Sequence, residues 1–140
     1  MTNEYQRLDP RIQKWIYRQG WADLRELQKK AVPPILAGDR DVLISAATAA
    51  GKTEAFFLPA CSAIADIQSG FGILYISPLK ALINDQYRRL ESLGDALEMP
   101  VTPWHGDVAQ SKKLKAKKHP SGILLITPES LEAMLIRNAG

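Results

Sequence analysis

Hydrophobic residues in the first forty positions recur with helical spacing. Asp9 and Pro10 predict a helix start, and Ile12, Trp15 and Ile16 fall on one face of the helix that follows. A second predicted helix carries its apolar face on Leu24, Leu27, Ala31, Ile35 and Leu36. Because proline lacks an N–H and clashes with the preceding turn, Pro33 and Pro34 predict that this helix bends or breaks.

From about position 41 the pattern changes to short apolar runs that alternate with longer amphipathic stretches. The runs predict strands at Val42–Ser45, Gly72–Ile76, Val101–Trp104 and Ile123–Ile126. The stretches between and after them predict helices at Lys52–Gln68, Leu79–Leu93, Val108–Lys118 and Ser130–Arg137. Nearly continuous apolar strands separated by helices predict an α/β fold, a parallel sheet with helices on both faces. Ligands of such sheets bind at the carboxyl ends of the strands.

The first predicted strand runs into a loop of small residues that ends in Gly-Lys-Thr, namely Ala46-Ala47-Thr48-Ala49-Ala50-Gly51-Lys52-Thr53. Strand, small-residue loop and helix are the context of a phosphate-binding P-loop, in which backbone N–H groups surround a phosphate chain. We expect the whole run and the following Glu54 to bind ATP. Lys52 and Thr53 are the candidate catalytic residues: Lys52 would reach the terminal phosphates and the Thr53 hydroxyl would hold Mg²⁺.

This motif departs from the common pattern, because Ala46 stands where the P-loop normally begins with glycine. A bare Gly-Lys-Thr before a helix also occurs as an ordinary turn, so a turn without any phosphate-binding role remains an alternative interpretation.

Composition narrows the classes of protein. The 140 residues suffice for one ordinary domain, and no stretch approaches the ~20 apolar residues that span a bilayer. The polar N-terminus does not resemble a signal peptide, and the single Cys61 suits a reducing cytoplasm and a core position. The net charge is +3, but five lysines crowd residues 112–118. That run fits either a phosphate-contacting surface or a solvated helix face.

The residues at the four predicted strand ends together carry a more specific signal. They are the Gly-Lys-Thr loop, Ser77-Pro78-Leu79-Lys80, Trp104-His105-Gly106-Asp107 and Thr127-Pro128-Glu129-Ser130. In this order they resemble the first RecA-like domain of superfamily-2 helicases of the DEAD/DEAH-box kind. The sequence from Tyr75 to Gln86, Tyr-Ile-Ser-Pro-Leu-Lys-Ala-Leu-Ile-Asn-Asp-Gln, is similar to that of helicases of the Lhr-like group. The resemblance extends from about Gly20 to Leu135.

The resemblance implies roles for individual residues. Gln28 would read the adenine edge, although Arg25-Glu26-Leu27-Gln28 differs from the frequent Thr-Pro-Ile-Gln and a plain surface glutamine is the alternative. His105 would be structural, and no residue cluster has metal-ligand spacing. The residues expected to contact the backbone of a single nucleic-acid strand are Pro78, Lys80, Gly106, Asp107, Thr127, Pro128 and Glu129.

One expected feature of a P-loop ATPase is missing. None of the four strand ends continues into the Asp-Glu pair that holds Mg²⁺ and activates water. We therefore expect residues 1–140 to be an incomplete RecA-like domain, with residues 1–40 as a helical lead-in. The remaining helicase domains would be its partners, and the chain alone would be inactive. The resemblance favours DNA over RNA.

Two other function classes remain. A non-catalytic nucleic-acid-binding or adaptor module with a vestigial P-loop would bind single strands without regard to ATP. A small-molecule kinase would need further phosphate-binding arginines, and the Pro-Leu-Lys and Thr-Pro-Glu strand ends argue against it.

Overall fold

The computed structural model describes residues 3–45, 52–66 and 69–138, apart from the side chain of Asn138. The chain divides into two compact units, Met1–Asp66 and Ile67–Gly140. Each unit is described by itself below. Among the described helices, none is both long enough and apolar enough to cross a membrane.

The N-terminal unit contains four helices, α1 (Asn3–Gln6), α2 (Pro10–Arg18), α3 (Glu26–Ala37) and α4 (Lys52–Ala63). The predicted start of α2 is confirmed: the Asp9 carboxylate accepts a hydrogen bond from the Arg11 N–H at 2.8 Å, and Pro10 occupies the first turn. The predicted apolar face is buried, and α3 packs against α4. The core of this unit is built from Leu8, Ile12, Ile16, Val32, Phe57 and Leu58.

One prediction for this unit is wrong. Residues 41–45 form no strand, and the Leu43 side chain is 95% exposed. A strand exists only when a neighbour satisfies its N–H and C=O groups, and the local pattern does not show whether that neighbour is present. Of the bend or break predicted at Pro33 and Pro34, the break does not occur, because α3 continues through both residues to Ala37. Ala31 and Val32 on the same helix are buried, and tertiary packing of this kind can override the penalty of about 3 kcal/mol for a proline in a helix.

The C-terminal unit alternates strands and helices as predicted. Its elements are β1 (Gly70–Ile76), α5 (Lys80–Leu97), β2 (Val101–Trp104), α6 (Gln110–Lys118), β3 (Ser121–Ile126) and α7 (Pro128–Asn138). The strands form a parallel sheet in the order β1-β3-β2, so the last strand in the chain lies in the middle. Ile126, the last residue of β3, pairs with Ile76 on one side and Trp104 on the other. The three strands therefore end at the same edge.

The central strand β3 is buried on both faces. Leu124 and Ile126 join Trp104 of β2 and Ala116 of α6 in one cluster, against which α7 also packs. Ile123 and Leu125 alternate with them and are equally buried, while α5 contacts both β2 and β3. The predicted parallel sheet with helical cover is confirmed.

The start of β3 has a backbone that only glycine fits. Gly122 has φ +75°, and a Cβ atom there would collide with the carbonyl oxygen of Pro100. The N–H of Ile123 donates to the same carbonyl at 2.9 Å. This close approach sets the register of β3 against the segment that leads into β2.

Candidate functional site

The N-terminal unit places the described part of the predicted P-loop at the start of a helix. Lys52 is the first residue of α4 and is half-buried, and Thr53 follows it in a buried position. The first N–H groups of a helix have no partner within it and carry partial positive charge, which suits phosphate. The roles of Lys52 at the terminal phosphates of ATP and of Thr53 at Mg²⁺ stay predictions. The residues predicted to form the loop, Ala46, Ala47, Thr48, Ala49, Ala50 and Gly51, lie outside the described residues.

Gln28 lies in the first turn of α3 and is only 3% exposed. Its side-chain Oε1 accepts a hydrogen bond from the Arg25 N–H at 2.9 Å, which satisfies a backbone donor at the helix start. Gln28 is therefore not the surface glutamine of the alternative interpretation. Its part in adenine recognition stays a prediction.

Cys61 lies within α4 and is fully buried. Burial raises the pKa of its thiol to about 12, so the side chain is protonated at neutral pH and unsuited to nucleophilic chemistry. The prediction of a core cysteine is confirmed.

In the C-terminal unit, the ends of β1 and β2 bring two predicted residues together. Lys80, the first residue of α5, approaches Asp107 with 3.4 Å between Nζ and Oδ1. Gly106 lies beside them, since a Cβ atom there would be 3.6 Å from the Lys80 Nζ. Lys80, Gly106, Asp107 and the preceding Pro78 are all exposed. The structure therefore leaves this cluster accessible to a large ligand.

His105 fixes the loop that carries Gly106 and Asp107. Its Nδ1 accepts a hydrogen bond from the Asp107 N–H at 3.2 Å, and its Nε2 lies 3.0 Å from the Asn84 Oδ1 of α5. Burial lowers the pKa of His105, against the opposing effect of Asp107, and the Lys80 and Lys113 charges lower it further. A neutral ring with the proton on Nε2 satisfies both contacts. The predicted structural role of His105 is confirmed.

At the end of β3, the Thr-Pro-Glu segment begins a helix. The Thr127 N–H donates to the Trp104 carbonyl at 3.3 Å, and its hydroxyl donates to the Ser130 Oγ at 2.9 Å. Pro128 is the first residue of α7, where its missing N–H costs nothing. Glu129 is exposed in the first turn, where the helix dipole favours a carboxylate. Thr127 is buried and supports the segment, whereas Pro128 and Glu129 face solvent.

Asn84 and Ser130 hold the two loops in place but were not predicted from the sequence. Asn84 lies four residues after Lys80, hence on the same face of α5, and Ser130 lies three residues after Thr127, so helical spacing could have indicated both. Among the residues that the structure describes, no group of three or more His, Cys, Asp or Glu side chains could hold a metal ion.

Comparisons with known proteins agree with this geometry. The model of the DEAD/DEAH box helicase family matches residues 25–140. The chain is 33% identical to the ATP-dependent helicase Lhr-Core of Methanothermobacter thermautotrophicus over 92% of its length, but spans only 17% of that protein. It is 40% identical to the ATP-dependent RNA helicase has1 of Schizosaccharomyces pombe over 54% of its length and 14% of that protein.

Solved helicase structures share the fold. The DEAD-box helicase Mss116, bound to single-stranded RNA and UDP-BeF, superposes with a TM-score of 0.86 at 26% identity, over 98% of this chain and 29% of that one. This likeness covers the parallel sheet and the helices around it, in keeping with the predicted RecA-like architecture. The sheet is incomplete relative to such domains. The chain belongs to the DEAD/DEAH box helicase family.

Proposed function

We propose that this chain supplies ATP-binding and strand-binding parts of an ATP-dependent helicase or translocase. The observation that carries the proposal is the common edge at which β1, β2 and β3 end, because it gathers three of the four predicted motifs. Family membership supports the use of ATP. Residues 1–140 would then belong to the first RecA-like domain, with residues 1–40 as its helical lead-in.

The exposed groups at this edge suit a sugar-phosphate backbone. Lys80 offers a cation, and the first turns of α5 and α7 offer backbone N–H groups. Asp107 and Glu129 would orient the cation and the helix start rather than bind phosphate themselves. Contacts to the sugar-phosphate backbone carry no base sequence, so the site would bind a single strand with little sequence preference. Because the sequence from Tyr75 to Gln86 resembles the Lhr-like group, we favour DNA over RNA as the bound strand.

The nucleotide site would be built around Lys52 and Thr53. ATP with Mg²⁺ supplies the phosphoanhydride bond whose hydrolysis drives such enzymes. Lys52 would neutralise the terminal phosphates, and Thr53 would contribute its hydroxyl to the metal. No strand end in the sequence carries an Asp-Glu pair. We therefore propose that residues 1–140 bind nucleotide but hydrolyse it only when other domains complete the site.

A nucleotide-binding titration tests the first part. Binding of a fluorescent ADP analogue should be lost in Lys52→Ala and retained in Lys14→Ala, which removes an exposed lysine of α2. Equal binding by both variants would remove Lys52 from the site. Steady ATP turnover that Lys52→Ala abolishes would instead refute the expected inactivity of the isolated chain.

A strand-binding titration tests the second part. Fluorescence anisotropy of a labelled single strand should report binding that weakens steeply with salt and responds to nucleotide. The parallel use of DNA and RNA strands tests the preference for DNA. Binding that ignores nucleotide altogether would favour a non-catalytic module with a vestigial P-loop.

A further inference from the structure

A basic cleft separates α6 from α7 beside the edge described above. It has a volume of about 220 Å³, and its lining includes Trp104, Lys113, Lys117, Ser130, Met134 and Arg137. Three of these residues are cationic and none is a carboxylate. The volume falls below the ~300 Å³ at which pockets for small organic ligands begin, but it can admit a phosphate group.

Trp104 lies beneath two of the three cations of the cleft. The ring is 7% exposed and forms part of the buried cluster under α6 and α7. The Lys113 and Lys117 ammonium groups lie 5.8 and 5.9 Å from its centroid, within cation–π range. Their spacing of four residues puts both on one face of α6. The ring thus holds two like charges together.

Within the described part of the chain, no carboxylate pairs with the cations of the cleft. Neither Lys113, Lys117 nor Arg137 forms an ion pair with another of the described residues. The remaining lysines of α6 increase the positive potential, and α6 itself contains no acidic residue. Uncompensated cations at a concave surface attract a polyanion from solution.

The cleft is continuous with the edge where the strands end. Trp104 is the last residue of β2, and its carbonyl accepts the hydrogen bond from Thr127. The Thr127 hydroxyl in turn donates to Ser130, which lines the cleft. The Lys113 charge also contributes to the lowered pKa of His105, whose ring accepts the Asp107 N–H. A strand that contacts the exposed Pro128 and Glu129 beside Ser130 would therefore lie next to the cleft.

We propose that the α6–α7 cleft binds the sugar-phosphate backbone of the nucleic-acid strand, with Lys113 and Lys117 as phosphate contacts and Trp104 as their support. The inference rests on the proposed function and extends its strand path by a second set of contacts. It also assigns Lys113 and Lys117 of the lysine run to phosphate binding rather than to a solvated helix face.

Two double variants on α6 test the assignment with equal loss of charge. The variant Lys113→Ala/Lys117→Ala removes both lysines of the cleft. The control Lys112→Ala/Lys115→Ala removes two lysines that line a different cavity, beside Tyr87 and Pro103. Affinity for a fluorescein-labelled homopolymeric strand is measured by anisotropy across a salt series. Circular dichroism of each variant checks that it remains folded.

The cleft variant should lose affinity by a factor on the order of ten. Its slope of log K against log salt should become shallower by about 1.4, because each phosphate contact on a single strand contributes ~0.7. The control should change both quantities much less, and Lys113→Arg/Lys117→Arg should retain most of the affinity. Equal losses in the cleft variant and the control, or no loss in either, would overturn the assignment.

Chemical acetylation of the unmodified chain gives a test that needs no variant. The bound strand should protect Lys113 and Lys117 but leave Lys112 and Lys115 reactive, as mass spectrometry would show. If the strand binds and Lys80→Ala weakens it while Lys113 and Lys117 stay reactive, the cleft assignment fails and the proposed function stands. If the chain binds no strand at all, both fail.

Discussion

Candidate residues of the two units differ in their exposure to solvent. In the N-terminal unit, Gln28 and Thr53 are buried polar groups, and Gln28 already satisfies a backbone donor. In the C-terminal unit, Lys80 and Asp107 are 52% and 74% exposed in their side chains. A buried polar group that loses its partner costs free energy of folding, whereas an exposed one is free to serve a ligand. Substitution of Gln28 should therefore affect mainly stability, and substitution of Lys80 mainly binding.

A pair of glycines gives the largest expected contrast between buried and exposed positions. Gly122→Ala should lower the free energy of unfolding by about 3 kcal/mol, because its backbone is left-handed and the Cβ meets the Pro100 carbonyl. Gly106→Ala should change it by less than ~0.5 kcal/mol, since its Cβ would make an ordinary contact with the Lys80 Nζ. Urea unfolding of both variants measures the difference. Equal stabilities would show that β3 can shift away from Pro100.

Gln28→Ala should have the next largest effect on stability. Loss of the side-chain acceptor leaves the Arg25 N–H without this partner at the start of α3, at a cost of about 1–2 kcal/mol. Gln19→Ala, at an exposed position after α2, is the control and should stay near the unmodified protein. Thermal melts measure both. If Gln28→Ala weakened ADP-analogue binding with no loss of stability, adenine recognition would be its main role.

His105 predicts a pH dependence of stability. Its pKa is lowered in the folded chain, chiefly by burial, so below the ordinary value near 6.5 the unfolded chain binds more protons than the folded one. The contribution is fully present above that pH and is lost as pH falls below it. His105→Gln should reduce this loss, as urea unfolding at several pH values would show. An unchanged profile would remove His105 as its source.

Lys80→Ala should have the smallest effect on stability and a clear effect on binding. An ion pair this exposed contributes within ~0.5 kcal/mol, but the lysine is the main cation at the ends of β1 and β2. Arg89→Ala is the matched control, since it removes an exposed cation of α5 that also pairs with a carboxylate, that of Asp85. Anisotropy titrations with a single strand should separate the two. Equal binding would place the strand elsewhere.

The exposed apolar surface adds a prediction for the whole chain. Leu74 and Ile76 of β1 and Leu135 and Ile136 of α7 are large side chains in contact with solvent. Surface of this kind lowers stability and promotes association. The isolated 140 residues should melt below ~65 °C, the upper end for ordinary domains. A sharp, reversible melt well above that temperature would contradict this expectation.

Sequence by itself determined the α/β alternation, the three parallel strands and the residues at their ends. Apolar runs such as Ile123–Ile126 are long enough to be buried on both faces, and Pro128 acts at a helix start through its own backbone, so both signals are local. The same locality explains why the helix start at Asp9 and the core position of Cys61 were predicted correctly.

Only the tertiary structure decided which local preferences prevail. The run at 42–45 has strand composition but forms no strand, and α3 passes through two prolines, because pairing and packing depend on neighbours distant in sequence. The pairing of Lys80 with Asp107 and the position of two lysines over Trp104 likewise join residues from different elements. The periodicity of the sequence shows which residues are apolar, but only the packing of the folded chain determines which of them are in contact.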